Sequence, residues 1–117
     1  MWHKAKDLAL FTYRITKEWP TKETYGLTSQ LTRAAVSVSA NIAEGTSRFS
    51  EKEQKRFLEI AYGSNKEVLS HLMVSQGLGY CTDAELAKAK SKILEISKML
   101  SGLMKVKNKN SSLNSPL

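Results

Sequence analysis

The sequence predicts an all-α domain: a four-helix bundle in antiparallel, up-down-up-down order. Three observations carry this reading. Apolar residues recur at three- and four-residue spacing along most of the chain. Only two prolines, Pro20 and Pro116, interrupt 117 residues, and helix breakers are otherwise short clusters. Those clusters leave four long segments joined by short links, which places consecutive helices side by side and antiparallel. Hydrophobic residues make up 41% and charged residues 25%, a globular balance for one domain with one core.

The elements follow in order. The first helix is expected over about residues 3–18, where Leu8, Phe11, Ile15 and Trp19 fall on one stripe, widened by Leu10 and Tyr13. WPTK ends it, because Pro20 disfavours helix at the residue before it. The second is expected over about residues 23–44, with Leu27, Leu31, Ala34, Val38 and Ile42 in register and Gly45 as its left-handed closing residue. The third spans about 51–76. It opens on the capping box SEKE, Ser50 to Glu53, and continues through Phe57, Ile60, Ala61, Ser64, Val68, Leu72 and Val74. Gly63 inside it suggests a close backbone approach, since an interior glycine costs about 1 kcal/mol against alanine. GLG at 77–79 stops this helix. The fourth, about 83–105, opens on a second capping box, TDAE, and carries Leu86, Ala89, Ile93, Ile96, Leu100 and Leu103 in heptad rhythm. The bundle domain is thus residues 1–106. The polar, basic remainder, 107–117, loses periodicity and reads as a flexible tail.

The stretch RAAVSVSANIAEG, 33–45, is small or apolar around most of its circumference. Gln30, Arg33, Ser37, Asn41 and Glu44 form its one polar face. A helix of that kind is buried on several sides, and small side chains admit a close neighbour. Ala61, Gly63 and Ser64 offer a matching surface on the third helix, with Ser64, Glu67 and His71 as its polar row. Gln30, Arg33, Ser37, Asn41, Glu44, Ser64 and Glu67 are therefore candidates for a structural polar network or a subunit contact, with an Arg33–Glu67 link as one form of it.

Catalytic chemistry finds little support. The two histidines, His3 and His71, have no nucleophile partner, and a His71–Glu67 pair falls short of the three protein ligands usual at a catalytic metal. No phosphate-cradling glycine motif and no nucleophile elbow occurs. The lone Cys81 has no intrachain partner and reads as a small buried hydrophobe. The expectation is a non-enzyme with no cofactor and no metal. Charges break every apolar run, so neither a signal peptide nor a membrane span is expected, and the location reads as cytoplasmic. The basic tail has too few bulky apolar residues for membrane attachment.

Net charge is +7 and uneven. Residues 80–117 hold seven lysines against three acids, whereas 49–79 balance four against four. A basic excess of this kind can meet phosphate or an acidic partner.

The strings YGLTSQLTRAAVSVSANIAEGTSR, KRFLEIAYGSNKEVLSHL and LGYCTDAE, with Asp7, Ala9 and Leu10 ahead of them, resemble a bacterial four-helix bundle family. That family is named for open reading frames inside intervening sequences of 23S rRNA genes. The resemblance covers about residues 3–105. Two departures stand out: Ser39 replaces a frequent proline, which suggests a straighter second helix, and Asn65 replaces an apolar residue, which suggests a more exposed face. The resemblance implies a ring-like homopentamer and brings no catalytic residue. More distantly the chain is similar to the accessory proteins of diversity-generating retroelements, which are basic and bind nucleic acid.

Two functional readings stay open. In the first, the chain is a nucleic-acid-associated oligomer, RNA-linked, that contacts phosphates through Lys4, Arg14, Arg48, Lys88, Lys92, Lys105, Lys107 and Lys109. In the second it is a homo-oligomeric scaffold for a protein partner, with no nucleic-acid role. Partners are then the chain itself, RNA or DNA, or another protein.

Overall fold

A computed structural model describes residues 1–113, with side chains through Lys107. It contains four helices: α1 (Trp2–Thr16), α2 (Leu27–Ser47), α3 (Glu51–Gly77) and α4 (Asp83–Leu113). A 3-10 turn, Thr21–Glu23, lies between α1 and α2, and no strand occurs among the described residues. The result is an elongated all-α bundle, 56 × 23 × 21 Å.

One apolar core runs through all four helices. Leu8 and Phe11 from α1, Leu31, Ala35, Val38 and Ile42 from α2, Leu58, Val68 and Leu72 from α3, and Ile93, Ile96 and Leu100 from α4 are buried together. These are mostly the residues that the three-four spacing singles out. Four residues of the predicted stripes are not core. Leu10, Tyr13, Ile60 and Val74 are exposed, because each stripe is narrower than the run of apolar letters. Buried Thr12, Thr16 and Thr32 satisfy their hydroxyls on carbonyls of their own helices, at 2.7–2.9 Å.

The helix ends differ from the sequence reading in instructive places. α1 stops at Thr16, and Trp19 is buried from the following loop, its ring 5.8 Å from that of Tyr80. α2 begins at Leu27, later than expected, because the chain first makes the 3-10 turn. The Glu23 carboxylate then accepts from the Leu27 amide (3.3 Å) and from the Tyr80 hydroxyl (3.1 Å). It thereby ties the α1–α2 link to the α3–α4 link. α2 also runs past Gly45 to Ser47, so Gly45 is not a closing residue. Gly45 is buried, and a Cβ there would lie 3.2 Å from the Gln54 carbonyl oxygen. The close approach expected at Gly63 is absent, since a Cβ there meets nothing within 4 Å. At the end of α3, Gly79 adopts φ +82°, the left-handed conformation that turns the chain.

α4 continues beyond the predicted end at 105, through seven residues of the expected tail, to Leu113. Residues 114–117 of that tail lie outside the described residues. The α3–α4 contacts define a register. Gln76 donates to Asp83 (2.7 Å), Asn65 donates to the Ile93 carbonyl and the Ser97 hydroxyl (both 2.9 Å), and Lys107 donates to Gln54. Asn65 is therefore fully buried, contrary to the exposed face expected of it. Its amide is accommodated by partners on α4, not by solvent.

Candidate nucleic-acid interface

The candidate cations do not form one surface. Two groups emerge, and Arg14 lies in the last turn of α1.

The first group spans α1 and α4. Lys4 pairs with Glu95 at 2.8 Å. These two, with Asp7 and Lys92, line a small cleft of about 60 Å³. The Lys92 ammonium lies 5.9 Å from the centre of the Phe11 ring, and Lys88 stands exposed one turn earlier on α4. Acids alternate with bases here, so the field is mixed in sign.

The second group sits at the α2–α3 turn. Arg48 pairs with Glu44 at 2.9 Å and lies 4.8 Å over the Phe57 ring. The Gln54 amide donates to the Arg48 carbonyl (2.7 Å), while its oxygen accepts from Lys107. Gln54 thus bonds the main chain of Arg48 and the ammonium of Lys107, two residues far apart in sequence, while the Arg48 guanidinium itself turns to Glu44 and Phe57. Lys105 is exposed two residues before Lys107, and the Lys109 side chain lies outside the described residues. Sequence reasoning misses Gln54, because a single glutamine carries no charge or motif signal.

It also misses several cations of α3, because residues 49–79 balance overall. Lys52, Lys55 and Arg56, with Glu53 and Glu59, line a shallow depression of about 510 Å³ on α3. Helical spacing is the signal that could have found them. The ion pairs Lys4–Glu95, Arg48–Glu44 and Lys55–Glu59 are solvent-exposed, and such pairs contribute only about 0–1 kcal/mol each. An incoming phosphate can therefore replace Glu44 or Glu95 at small cost.

The polar row between α2 and α3 is partly assembled. The Ser37 and Ser64 hydroxyls are 2.9 Å apart, and Asn41 donates to the Ser37 carbonyl (2.9 Å) and hydroxyl (3.0 Å). Ser37 accepts from Asn41, and either hydroxyl of the Ser37–Ser64 pair can be the donor. Gln30 and Arg33 are exposed, Glu44 turns to Arg48, and Glu67 meets His71 at 3.2 Å rather than Arg33.

Elsewhere the chemistry is quiet. Among the described residues no three His, Cys, Asp or Glu side chains cluster as metal ligands. Burial pushes the Cys81 thiol above its ordinary pKa, helped by the negative charges of Glu85 and Asp83. No described helix is long and apolar enough to cross a membrane.

Residues 1–102 match the family model described as 23S rRNA-intervening sequence protein. Among solved structures, the chain is similar to a protein with unknown function from the S23 ribosomal protein family of Bacteroides thetaiotaomicron VPI-5482. The two share 25% identity over 86% of this chain and 98% of that one, with a TM-score of 0.73. Neither description is that of an enzyme. No curated protein matches the chain.

Proposed function

The chain belongs to the 23S rRNA-intervening sequence protein family, and from that premise we propose that it is a non-enzymatic, nucleic-acid-associated bundle, RNA-linked, working in the cytoplasm without a cofactor. The observation that supports this reading is Gln54, which bonds the main chain of Arg48 and the ammonium of Lys107 and so brings two basic residues to the α2–α3 turn, with Lys105 exposed nearby in the sequence of α4. Flexible cations held near one end of a helical rod suit phosphate contact with little reading of bases.

The antiparallel, up-down-up-down order belongs to this proposal. It is supported by the falling register of α4 against α3, where Gln54 faces Lys107, Asn65 faces Ile93, and Gln76 faces Asp83. So does assembly into a ring-like homopentamer. Support for self-association comes from the outer side of α2, where exposed Val36, Ala40 and Ala43 are accompanied by few charges. That same face favours the second reading, a homo-oligomeric scaffold for a protein partner.

The test is binding of nuclease-treated protein to rRNA fragments and duplex DNA across a salt series. Affinity should fall steeply with salt and favour RNA. Reversing Arg48, Lys105 and Lys107 to glutamate should reduce the salt slope by about 0.7–0.9 for each phosphate that is no longer neutralised. Unchanged affinity and slope in that variant would exclude this surface. No binding at low salt would leave the scaffold reading.

A further inference from the structure

We propose that the outer groove between α3 and α4 is a docking surface for an acidic amphipathic helix of a protein partner. This inference is independent of whether the chain binds RNA.

The groove has a volume of about 210 Å³ and is lined by Lys66, Leu69, Lys90, Ile93 and Leu94. Its floor is aliphatic. Ile93 closes the bottom at 2% exposure, while Leu94 remains 54% exposed on one wall. Met73, one turn after Leu69 on α3, is 51% exposed and extends the apolar strip. Two parallel walls of side chains with an apolar floor form the kind of channel into which a third helix packs its ridge.

Charge selects the occupant. Lys66 stands on one wall and Lys90 on the other, with Lys98 one turn beyond Leu94. None of these three has an ion-pair partner among the described residues, although Lys4, Arg48 and Lys55 do. The acids of α4 lie elsewhere: Glu95 is engaged by Lys4, Asp83 by Gln76, and Glu85 by the Thr82 amide. An apolar strip between unpaired lysines of one sign fits a helix with bulky aliphatic anchors flanked by glutamate or aspartate.

Two other occupants fit less well. An unpaired nucleotide is held mainly by stacking on aromatic faces, and no aromatic side chain lines the groove. The nearby Tyr62 ring already carries the Lys66 ammonium at 5.3 Å. A second copy pairing through the same groove would oppose lysine to lysine.

The probe is a synthetic peptide of about 18 residues, long enough for useful helicity, with leucines at i, i+3, i+4 and i+7 and glutamates between them. It is titrated into the full isotope-labelled chain at low salt. Amide shifts should concentrate around Leu69, Ile93 and Leu94. Leu94→Asp, at an exposed position, should retain helical circular dichroism and lose about tenfold or more in affinity, as should Lys66→Glu combined with Lys90→Glu. Lys17→Glu with Lys22→Glu should leave affinity within about twofold, and a glutamine version of the peptide should bind at least about tenfold more weakly. Peptide shifts elsewhere, or undiminished binding by both groove variants, would overturn the proposal. So would oligouridylate of about 20 nucleotides occupying the same amides and displacing the peptide, or self-association that Leu94→Asp abolishes.

Discussion

A Cβ added at Gly45 would sit 3.2 Å from the Gln54 carbonyl oxygen and 3.3 Å from the Leu58 side chain. The first of these is backbone near the start of α3 and cannot swing aside. Gly45→Ala should therefore lower stability by about 1–2 kcal/mol despite alanine's better helix propensity. Gly63→Ala places its methyl group in open space and should raise stability by about 0.5–1 kcal/mol. Thermal melts of the two variants, run at equal protein concentration, should shift in opposite directions. Two glycines in one small-residue sequence pattern thus have opposite roles, and only the packing of α2 on α3 distinguishes them. Asn65 shows the same limit. Its amide nitrogen has two partners on α4, while its buried carbonyl oxygen has none among the described residues. It fixes the α3–α4 register at some cost in stability. Cys81 is buried, and its thiol pKa is raised by burial and then by Glu85 and Asp83. Labelling with a thiol-exchange reagent at about pH 8 should be much slower in the native chain than after denaturation. A raised folded pKa favours the native state while the thiol is protonated. That contribution is complete below the ordinary thiol pKa and is lost as pH rises through the folded value. Native and unfolded chains labelling at equal rates would contradict this account of the site.

At the scale of the helix, the two capping boxes are unequal. Thr82 closes both halves of its box: the Glu85 amide donates to the Thr82 hydroxyl (3.1 Å), and the Thr82 amide donates to the Glu85 carboxylate (2.9 Å). Ser50 makes the forward bond, accepting from the Glu53 amide at 3.1 Å. Replacing either cap by alanine should cost about 1 kcal/mol. Because the caps belong to different helices at separate ends, the double variant should lose nearly the sum in chemical denaturation. A loss much smaller than the sum would mean that the two ends do not unfold independently of each other's caps. These starts are legible in the sequence because a cap is a local chemical pattern. The core is legible for a similar reason, since Leu31, Val38, Leu72, Ile93 and Leu100 repeat at the helical period. Boundaries set by tertiary contact are not. Leu27 begins α2 because Glu23 folds back to its amide while holding Tyr80, 57 residues away. α4 persists past 105 although its apolar rhythm has faded, since lysine tolerates helix well and Lys107 finds Gln54 on α3. The candidate interface is legible as a charge excess and illegible as a place. Sequence sums Lys4, Arg48 and Lys107 into one total, whereas the fold sends Lys4 to Glu95, the Arg48 guanidinium to Glu44 and Lys107 to Gln54.

At the scale of the whole molecule, the helices differ in length: α1 has 15 residues and α4 has 31. Lys4 reaches Glu95 near the beginning of α1, so α4 extends well past α1 toward the α2–α3 turn. That end carries Phe49, fully exposed, together with exposed Ile60 and Val106. Beside α1, the outer side of α2 presents Val36, Ala40 and Ala43 to solvent, and Arg33 is the one charged residue between Glu23 and Glu44. A face poor in charge, in a chain that is 25% charged, is unfavourable to leave solvated and readily covered by a like surface. The proposed ring gives it a partner. Placing glutamate at both Val36 and Ala40 would oppose like charges across every copy of such a contact while leaving the core of α2 untouched, since both positions are exposed. The double variant should keep its helical circular dichroism and fall from a multi-subunit mass to that of a 13.1 kDa chain in size-exclusion chromatography with light scattering. The parent chain measured as a monomer at micromolar concentration would remove the ring. An unchanged multi-subunit mass in the variant would instead move the contact to the exposed end formed by Phe49, Ile60 and Val106. Nucleic-acid affinity in the same variant separates the two roles of the surface. If the cations of several copies act together, dissociation should weaken binding without altering Arg48 or Lys107, because linked sites bind more tightly than single ones.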